Sequence, residues 1–344
     1  MNVLIRCDGS SKIGLGHIIR SLALADELQD VHNFRITFAI RKGMLGITMV
    51  EKKRYRVITP QETDKKFDYG NWLNECVRKI DARAIVFDVR DGLTRSVVKE
   101  LREKGILIVT IDDPEDKRLE ADMAFYPPVP QVKRINWAGF AGELYVGWEW
   151  VILRKEFSFM LRSKLYVPCA QRPKVLVTMG GSDPQAMTIM VVKALEFLDE
   201  DFETVVILGS GFQHKKRLND LLSECKHHFE VQKDVKNISE IMSQSDLAVA
   251  SFGMTAYELA AMGVPSIYLC LTQDHAESAS VFVEEGMAIW VGVSNYVSIE
   301  TLADKVRYLL KNISKKFQMT TIQKIDGRGV ERIANLIIEK LASG

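Results

Sequence analysis

Val3-Leu4-Ile5-Arg6-Cys7-Asp8-Gly9-Ser10-Ser11-Lys12-Ile13-Gly14-Leu15-Gly16-His17-Ile18-Ile19-Arg20 is the stretch on which the reading of this chain turns. Its apolar opening is strand-like, and the following Ser21-Leu22-Ala23-Leu24-Ala25-Asp26-Glu27-Leu28 has the spacing of an amphipathic helix. A strand therefore feeds a glycine-containing turn, and the turn delivers an imidazole to the start of a helix. Backbone amides left open at a helix N-terminus favour an anion, and glycine lets a ligand come close. A histidine so placed can exchange a proton near neutral pH. Gly14-x-Gly16 lacks the third glycine of a dinucleotide fingerprint, and no Gly-Lys-Ser/Thr ending marks a P-loop. The pattern fits a sugar-nucleotide site. The plain structural alternative gives Gly14 and Gly16 turn geometry only, with His17 as a solvated helix cap.

Outward from this stretch, strand-like and helix-like segments alternate. Ile36-Thr37-Phe38-Ala39-Ile40, Ala84-Ile85-Val86-Phe87-Asp88 and Ile106-Leu107-Ile108-Val109-Thr110-Ile111 read as short buried strands, with helical patterns at 73–80 and 93–103 between them. That order predicts a parallel sheet covered on both faces, an α/β fold. Asp88 and Asp112-Asp113 end two of the strands, where open parallel sheets gather ligands. Alternatively they cap the segments that follow. From Tyr126 to Lys174 the alternation breaks: Pro127-Pro128-Val129-Pro130, the aromatics Tyr145, Trp148 and Trp150, and Pro168 suggest an irregular connector. A domain boundary is expected near 150–170, giving an N-terminal domain 1–155 that carries His17 and a C-terminal domain 156–344.

Composition sets the class. With 344 residues, 47% of them hydrophobic and 26% charged, the chain can build two substantial cores. Lys plus Arg number 46 against 45 Asp plus Glu, so no global charge argues for nucleic acid. Apolar runs such as Val205-Val206-Ile207-Leu208 are too short to span a membrane, so no stable membrane insertion is expected. The first strand starts almost at Met1, which argues against a secretory leader. Cys7, Cys76, Cys169, Cys225 and Cys270 lie far apart without a Cys-x-x-Cys pair, as suits reduced thiols in a cytoplasm. Nothing resembles a zinc framework, and His227-His228 reads as a solvated loop pair.

Alternation resumes with Lys174-Val175-Leu176-Val177-Thr178-Met179, Thr204-Val205-Val206-Ile207-Leu208, Leu247-Ala248-Val249-Ala250 and Ser266-Ile267-Tyr268-Leu269. Three of these strands run straight into glycine turns: Gly180-Gly181-Ser182-Asp183, Gly209-Ser210-Gly211 and Ser251-Phe252-Gly253-Met254-Thr255. In one parallel sheet all three turns open on the same edge. Gly253, Met254 and Thr255 would offer amides and a hydroxyl to a diphosphate, and Gly180 and Gly181 would let backbone approach it. Glu258, one turn further on, could accept both ribose hydroxyls. The alternative makes Thr255 and Glu258 an ordinary capping pair.

These residues carry a family resemblance. Arg6-x-Asp8-Gly9-Ser10-x-x-Ile13-Gly14-x-Gly16-His17-x-x-Arg20 resembles the opening motif of the pseudaminic-acid-pathway UDP-sugar hydrolases and the related spore-coat polysaccharide biosynthesis proteins. The likeness continues through Gly180-Gly181-Ser182-Asp183, Ser251-x-Gly253-x-Thr255-x-x-Glu258 and Asp326-Gly327-x-Gly329-Val330-x-Arg332-Ile333. It implies a GT-B architecture: two Rossmann-like doubly wound domains facing across a cleft, with the last helix, about 329–342, returning to the N-terminal domain. It implies hydrolysis of the glycosidic C–O bond of a UDP-linked diacetamido-trideoxyhexose, with His17 and Asp8 as catalytic residues and His17 as the base. Gly14, Gly16, Arg20, Asp88 and Gln273 would bind the sugar. Gly180, Gly181, Ser182, Gly209, Ser251, Gly253, Met254, Thr255 and Glu258 would bind UDP. No metal or cofactor is implied, and the expected partners are a UDP-linked amino sugar and other surface-glycan enzymes.

Two segments depart from the family pattern. Asp88-Val89-Arg90-Asp91-Gly92-Leu93 lacks the tyrosine expected there, and Thr272-Gln273-Asp274-His275 replaces an Asn-Gln pair, which brings the chain nearer the spore-coat branch. His275 has either a ligand role or none. A glycosyltransferase of the same fold, with His17 deprotonating an acceptor hydroxyl, differs only in what fills the acceptor place. Its signature would be a membrane-docking patch, for which Arg41-Lys42-Gly43-Met44-Leu45-Gly46-Ile47 is the candidate and an ordinary loop the alternative. A non-catalytic sugar-nucleotide binder is a third reading, and it would have no need of His17, Asp8 and Arg20 together.

Overall fold

The computed structural model describes residues 1–10, 14–60, 67–157, 172–233, 235, 237–312 and 324–343. Ile13 of the opening motif, and Pro168 and Cys169 of the connector, lie outside the described residues. The chain divides into two compact units: Met1–Arg154 with Arg328–Gly344, and Lys155–Gly327.

The first unit is built on seven parallel strands: β1 (Asn2–Cys7), β2 (Arg35–Ala39), β3 (Arg56–Ile58), β4 (Ala82–Asp88), β5 (Leu107–Ile111), β6 (Met123–Tyr126) and β7 (Glu143–Val146). Their order is β3-β2-β1-β4-β5-β6-β7, the doubly wound arrangement whose direction of travel reverses between β1 and β4. Val3, Leu4, Ile5, Ile85, Val86 and Phe87 are all fully buried, because helices cover both faces of the sheet. Those helices include α1 (Gly16–Asp30), α2 (Met44–Lys52), α3 (Tyr69–Ile80) and α4 (Arg95–Glu103). α3 starts where the Asp68 carboxylate accepts the Asn71 N–H, and it stops at Asp81 in a left-handed conformation.

The stretch from Tyr126 to Lys174 is not wholly irregular. The sheet continues to β7, where Phe125 of β6 stacks on Tyr145 at 4.8 Å and Trp150 closes against both rings. β7 escapes a hydrophobicity reading because it is an edge strand with Leu144 and Val146 about two-fifths exposed. The C-terminal helix Gly329–Ser343 belongs to this unit, and its Val330, Ile333, Ala334 and Ile337 are buried in the same core as Ile18 and Leu22 of α1. Gly329 is required at its start, since a Cβ there would lie 2.2 Å from the Val151 carbonyl oxygen.

The second unit repeats the plan with β8 (Lys174–Thr178), β9 (Glu203–Leu208), β10 (Phe229–Lys233), β11 (Leu247–Ser251), β12 (Ser266–Cys270) and β13 (Ala288–Val293). These are parallel in the order β10-β9-β8-β11-β12-β13, so the reversal falls between β8 and β11. β10 and β13 are edge strands. His227 is not a solvated loop residue: its Nε2 lies 2.6 Å from the Leu198 carbonyl and its ring stacks on Phe202. Cys7, Cys76, Cys225 and Cys270 are all free thiols. Among the described residues no helix is long and apolar enough to cross a membrane.

Candidate functional site

In the first unit, the chemistry gathers where β1 and β4 end side by side, Cys7 paired in register with Asp88. α1 begins at Gly16, and its N-cap is Leu15, with no side chain capping it. His17 is therefore inside the helix and is not its cap. Gly14 sits at φ +84° and is bridged to Ser10, a conformation that favours glycine. His17, Arg20 and Ser21 fall at i, i+3 and i+4 on one face of α1, and all three reach Asp88.

Asp88 is fully buried and its four bonds fill both oxygens. Oδ1 lies 2.6 Å from His17 Nδ1 and accepts Arg20 Nη2 at 2.5 Å. Oδ2 accepts Arg20 Nε at 2.7 Å and the Ser21 hydroxyl at 3.2 Å. Burial pushes this carboxyl's pKa up, but Arg20, and after it His17, outweigh burial and hold the group well below the usual carboxylate range. An ionised carboxylate at 2.6 Å requires the proton on Nδ1. In the neutral form of the ring, which is 23% exposed, Nε2 is then the acceptor nitrogen. Cys7, behind this pair, is held as a thiol by burial and by Asp88.

Asp8 sits elsewhere in this edge. Its carboxylate takes a two-pronged ion pair from Arg6 at 2.8 Å on each oxygen and accepts the backbone N–H groups of Arg41 and Lys42. Asp8 thus pins the turn after β2, and Asp88 is the carboxylate on His17. Arg6 is completely buried and also donates from Nη2 to Asp91 at 2.8 Å and from Nε to the Tyr69 hydroxyl at 2.6 Å. Tyr69, from α3, donates in turn to Asp91. The tyrosine missing after Asp88 in the sequence is matched in this edge by one from another element.

The strand-end aspartates have separate fates. Asp88 caps nothing, for α4 starts after Thr94. Asp113 does hold its own turn, accepting the Glu115 N–H at 2.9 Å, and it pairs with the buried Lys117. Asp112 adopts a left-handed backbone, φ +51°, and its carboxylate bridges Arg20 Nη1 at 3.4 Å and Arg90 Nη2 at 3.2 Å. Sequence reasoning missed Ser21, Tyr69, Asp91 and this role of Asp112. The i, i+4 spacing from His17 was the available signal for Ser21. The others become neighbours through the sheet alone.

In the second unit, the turns after β8, β9 and β11 meet at the reversal point. Gly180 takes φ +74°, and a Cβ on it would touch the Ser251 hydroxyl at 3.4 Å. A Cβ on Gly181 or Gly253 would meet nothing within 4 Å, which leaves open approach at both. Gly209 differs. A Cβ there would fall 2.4 Å from the Gly181 carbonyl oxygen, so it is glycine to let two turns touch. Beside Ser182, Asp183 accepts the N–H groups of Met187 and Thr188, fixing the helix Met187–Glu196 to this turn.

The helix Met254–Ala261 has Gly253 as its N-cap and no capping side chain. Thr255 lies inside its first turn, so Thr255 and Glu258 do not form a capping pair, which needs its threonine at the N-cap. The first-turn amides of this helix form an anion-favouring end. Glu258 is buried, at 6% exposure. Gln273 is the exposed first residue of the helix Gln273–Glu284, capped by Thr272, which accepts the His275 N–H at 3.2 Å.

Residues 175–337, just under half of the chain, match the glycosyltransferase family 28 C-terminal domain. An uncharacterized protein of Methanocaldococcus jannaschii is 28% identical over 78% of this chain, which spans 55% of that relative's length. The spore coat polysaccharide biosynthesis protein SpsG of Bacillus subtilis is 21% identical over 98% of both chains. The UDP-2,4-diacetamido-2,4,6-trideoxy-beta-L-altropyranose hydrolase of Campylobacter jejuni is 23% identical over 84% of this chain and 98% of its own. Among solved structures, MurG of Acinetobacter baumannii superposes with TM-score 0.75 at 14% identity, over 98% of this chain and 99% of MurG. The UDP-GlcNAc 2-epimerase of Neisseria meningitidis bound to UDP-GlcNAc gives 0.62 at 13% identity over all of both chains. The chain is thus a distant relative of the spore-coat polysaccharide and UDP-diacetamido-trideoxyaltropyranose hydrolase proteins, with the GT-B fold of MurG.

Proposed function

We propose that this protein is a cytoplasmic nucleotide-sugar hydrolase that cleaves the glycosidic C–O bond of a UDP-linked diacetamido-trideoxyhexose. One observation carries the reading: the buried, ionised Asp88 accepts the hydrogen bond of His17 Nδ1–H and leaves Nε2 to act as a base. Nε2 removes a proton from water while the water oxygen bonds to the anomeric carbon. The C–O bond to the diphosphate breaks, and its electron pair leaves on UDP. The imidazolium formed is held by Asp88. Gly14, Gly16 and Arg20 shape the edge around the sugar, and Asp8 acts by pinning the turn after β2.

UDP binds the second unit. The amides of Gly253, Met254 and Thr255 take the diphosphate, Gly180, Gly181, Ser182 and Ser251 line its approach, and Glu258 accepts the ribose hydroxyls. The helix N-terminus and these amides stabilise the leaving charge, so EDTA is expected to leave turnover unchanged. Gln273 extends the sugar side. The likeness to the Campylobacter jejuni hydrolase, over 84% of this chain and 98% of that protein, supports the reaction assigned.

A second reading is favoured by the family 28 domain and the likeness to MurG: a glycosyltransferase in which His17 deprotonates an acceptor hydroxyl. The test is product analysis with a panel of UDP-linked amino sugars and no acceptor. Release of free sugar and UDP, abolished in His17→Ala, supports the hydrolase. UDP binding without turnover sinks it in favour of the transferase.

A further inference from the structure

The proton that His17 accepts has to be accommodated beside a cation already in place. Arg20 Nη2 lies 3.2 Å from His17 Nδ1, and both lean on the same oxygen of Asp88. Once the imidazole is protonated, two positive charges share one carboxylate in a partly buried site, where screening is weak. Asp88 cannot balance both.

The titratable and charged groups around His17 and its partners Asp88 and Arg20 come from four places. α1 supplies Arg20; β1 supplies Cys7, held as a thiol; the end of β4 supplies Asp88 and Arg90; the end of β5 supplies Asp112. Asp8 is committed to Arg6. Charges of the protonated His17, Arg20, Arg90, Asp88 and Asp112 sum to plus one, and without Asp112 to plus two. Arg90, half-exposed, draws on Asp112 from the solvent side. Asp112 is held to this task by its backbone: it turns left-handed directly after β5 while its N–H remains on the Phe125 carbonyl. A left-handed aspartate is uncommon and is retained where the surroundings fix it.

We propose that Asp112 is a positioning residue of the first-unit site, the counter-charge that neutralises Arg20 when His17 takes up its proton. The inference rests on His17 being the base. Asp112→Asn is the variant of choice, since asparagine tolerates the left-handed backbone and keeps the shape.

The readout needs no substrate. The chain has six histidines, so the His17 ring resonances of labelled protein are assigned by their loss in His17→Asn. The His17 titration midpoint is expected to fall by about half a pH unit or more in Asp112→Asn, because a nearby anion has gone. Arg90→Gln is expected to raise it. The other histidine resonances should stay in place, which reports an intact fold. In turnover, Asp112→Asn should lower kcat about tenfold at unchanged KM and carry the acid limb of kcat/KM to lower pH, with Asp112→Glu restoring part of it. A midpoint unmoved in both Asp112→Asn and Arg90→Gln overturns the inference. If Asp112→Asn does not fold, Arg90→Gln alone decides it. Full turnover in His17→Asn would instead overturn the functional reading, while the titrations still report on the charge coupling.

Discussion

Every nitrogen of the Arg6 guanidinium is bonded inside the protein, to Asp8, Asp91, Tyr69 and the carbonyls of Cys7 and Ala39. A lysine has no fork to replace these bonds. Arg6→Lys is expected to destabilise the first unit by about 3 kcal/mol, leaving buried carboxylates short of partners, and thermal unfolding reads the loss directly. Asp88→Asn should cut turnover about 10²–10⁴-fold, the range over which a positioned base acts, with UDP affinity unaltered. At the second edge, Glu258→Gln should weaken UDP binding roughly tenfold or more by calorimetry, and unchanged affinity would refute the ribose contact. Much of this was legible in one helix. His17 and Arg20 stand three apart in a turn of α1, and their convergence on a strand-end aspartate follows from a parallel sheet. Tyr69 and Asp91 were not legible, since they lie 63 and 85 positions from Arg6 and meet only through strand order.

At the scale of elements, two glycines in neighbouring turns make opposite predictions. Gly209 faces the carbonyls of Gly180 and Gly181, and Gly209→Ala is expected to force the β8 and β9 turns apart, with a loss of about 2 kcal/mol in unfolding. Gly181→Ala should leave the melting temperature in place, because nothing lies within 4 Å of the new methyl. Its effect is expected on UDP affinity alone. Both glycines follow strands in the sequence and look equivalent there. Only the packing of one turn on the other separates them. Strands showed the same division. β1, β4, β5, β8, β9, β11 and β12 are central or nearly so, and burial on both faces writes them as apolar runs. β3, β7 and β10 carry exposed positions or few residues and left no such run.

At the scale of the molecule, two buried carboxyls of the first unit respond to acid in opposite directions. Asp88 is held far below its ordinary value, so its contribution is complete above about pH 4 and is lost as pH falls further. Asp113 is pushed the other way, from 3.8 up to about 6, by burial that Lys117 only partly offsets. Between those values the folded form keeps a proton that the unfolded chain has lost. Stability should decline across that window by roughly 3 kcal/mol as pH rises, and Asp113→Asn should flatten the decline in a pH series of denaturant titrations. The two-sheet plan was legible from the repeated strand–turn–helix order, while the membership of each unit rests on packing distant in sequence.

The C-terminal helix has a consequence for how the chain is made. A ribosome releases β1 to β7 well before Ile333, Ala334 and Ile337, which share their core but follow the second unit in the chain. A buried core cluster of the second unit lies between residues 175 and 309, so this unit can pack before the first is complete. Synthesis order and folding order are therefore reversed. The nascent first unit has to wait with an open apolar seam along α1 until the helix Gly329–Ser343 arrives.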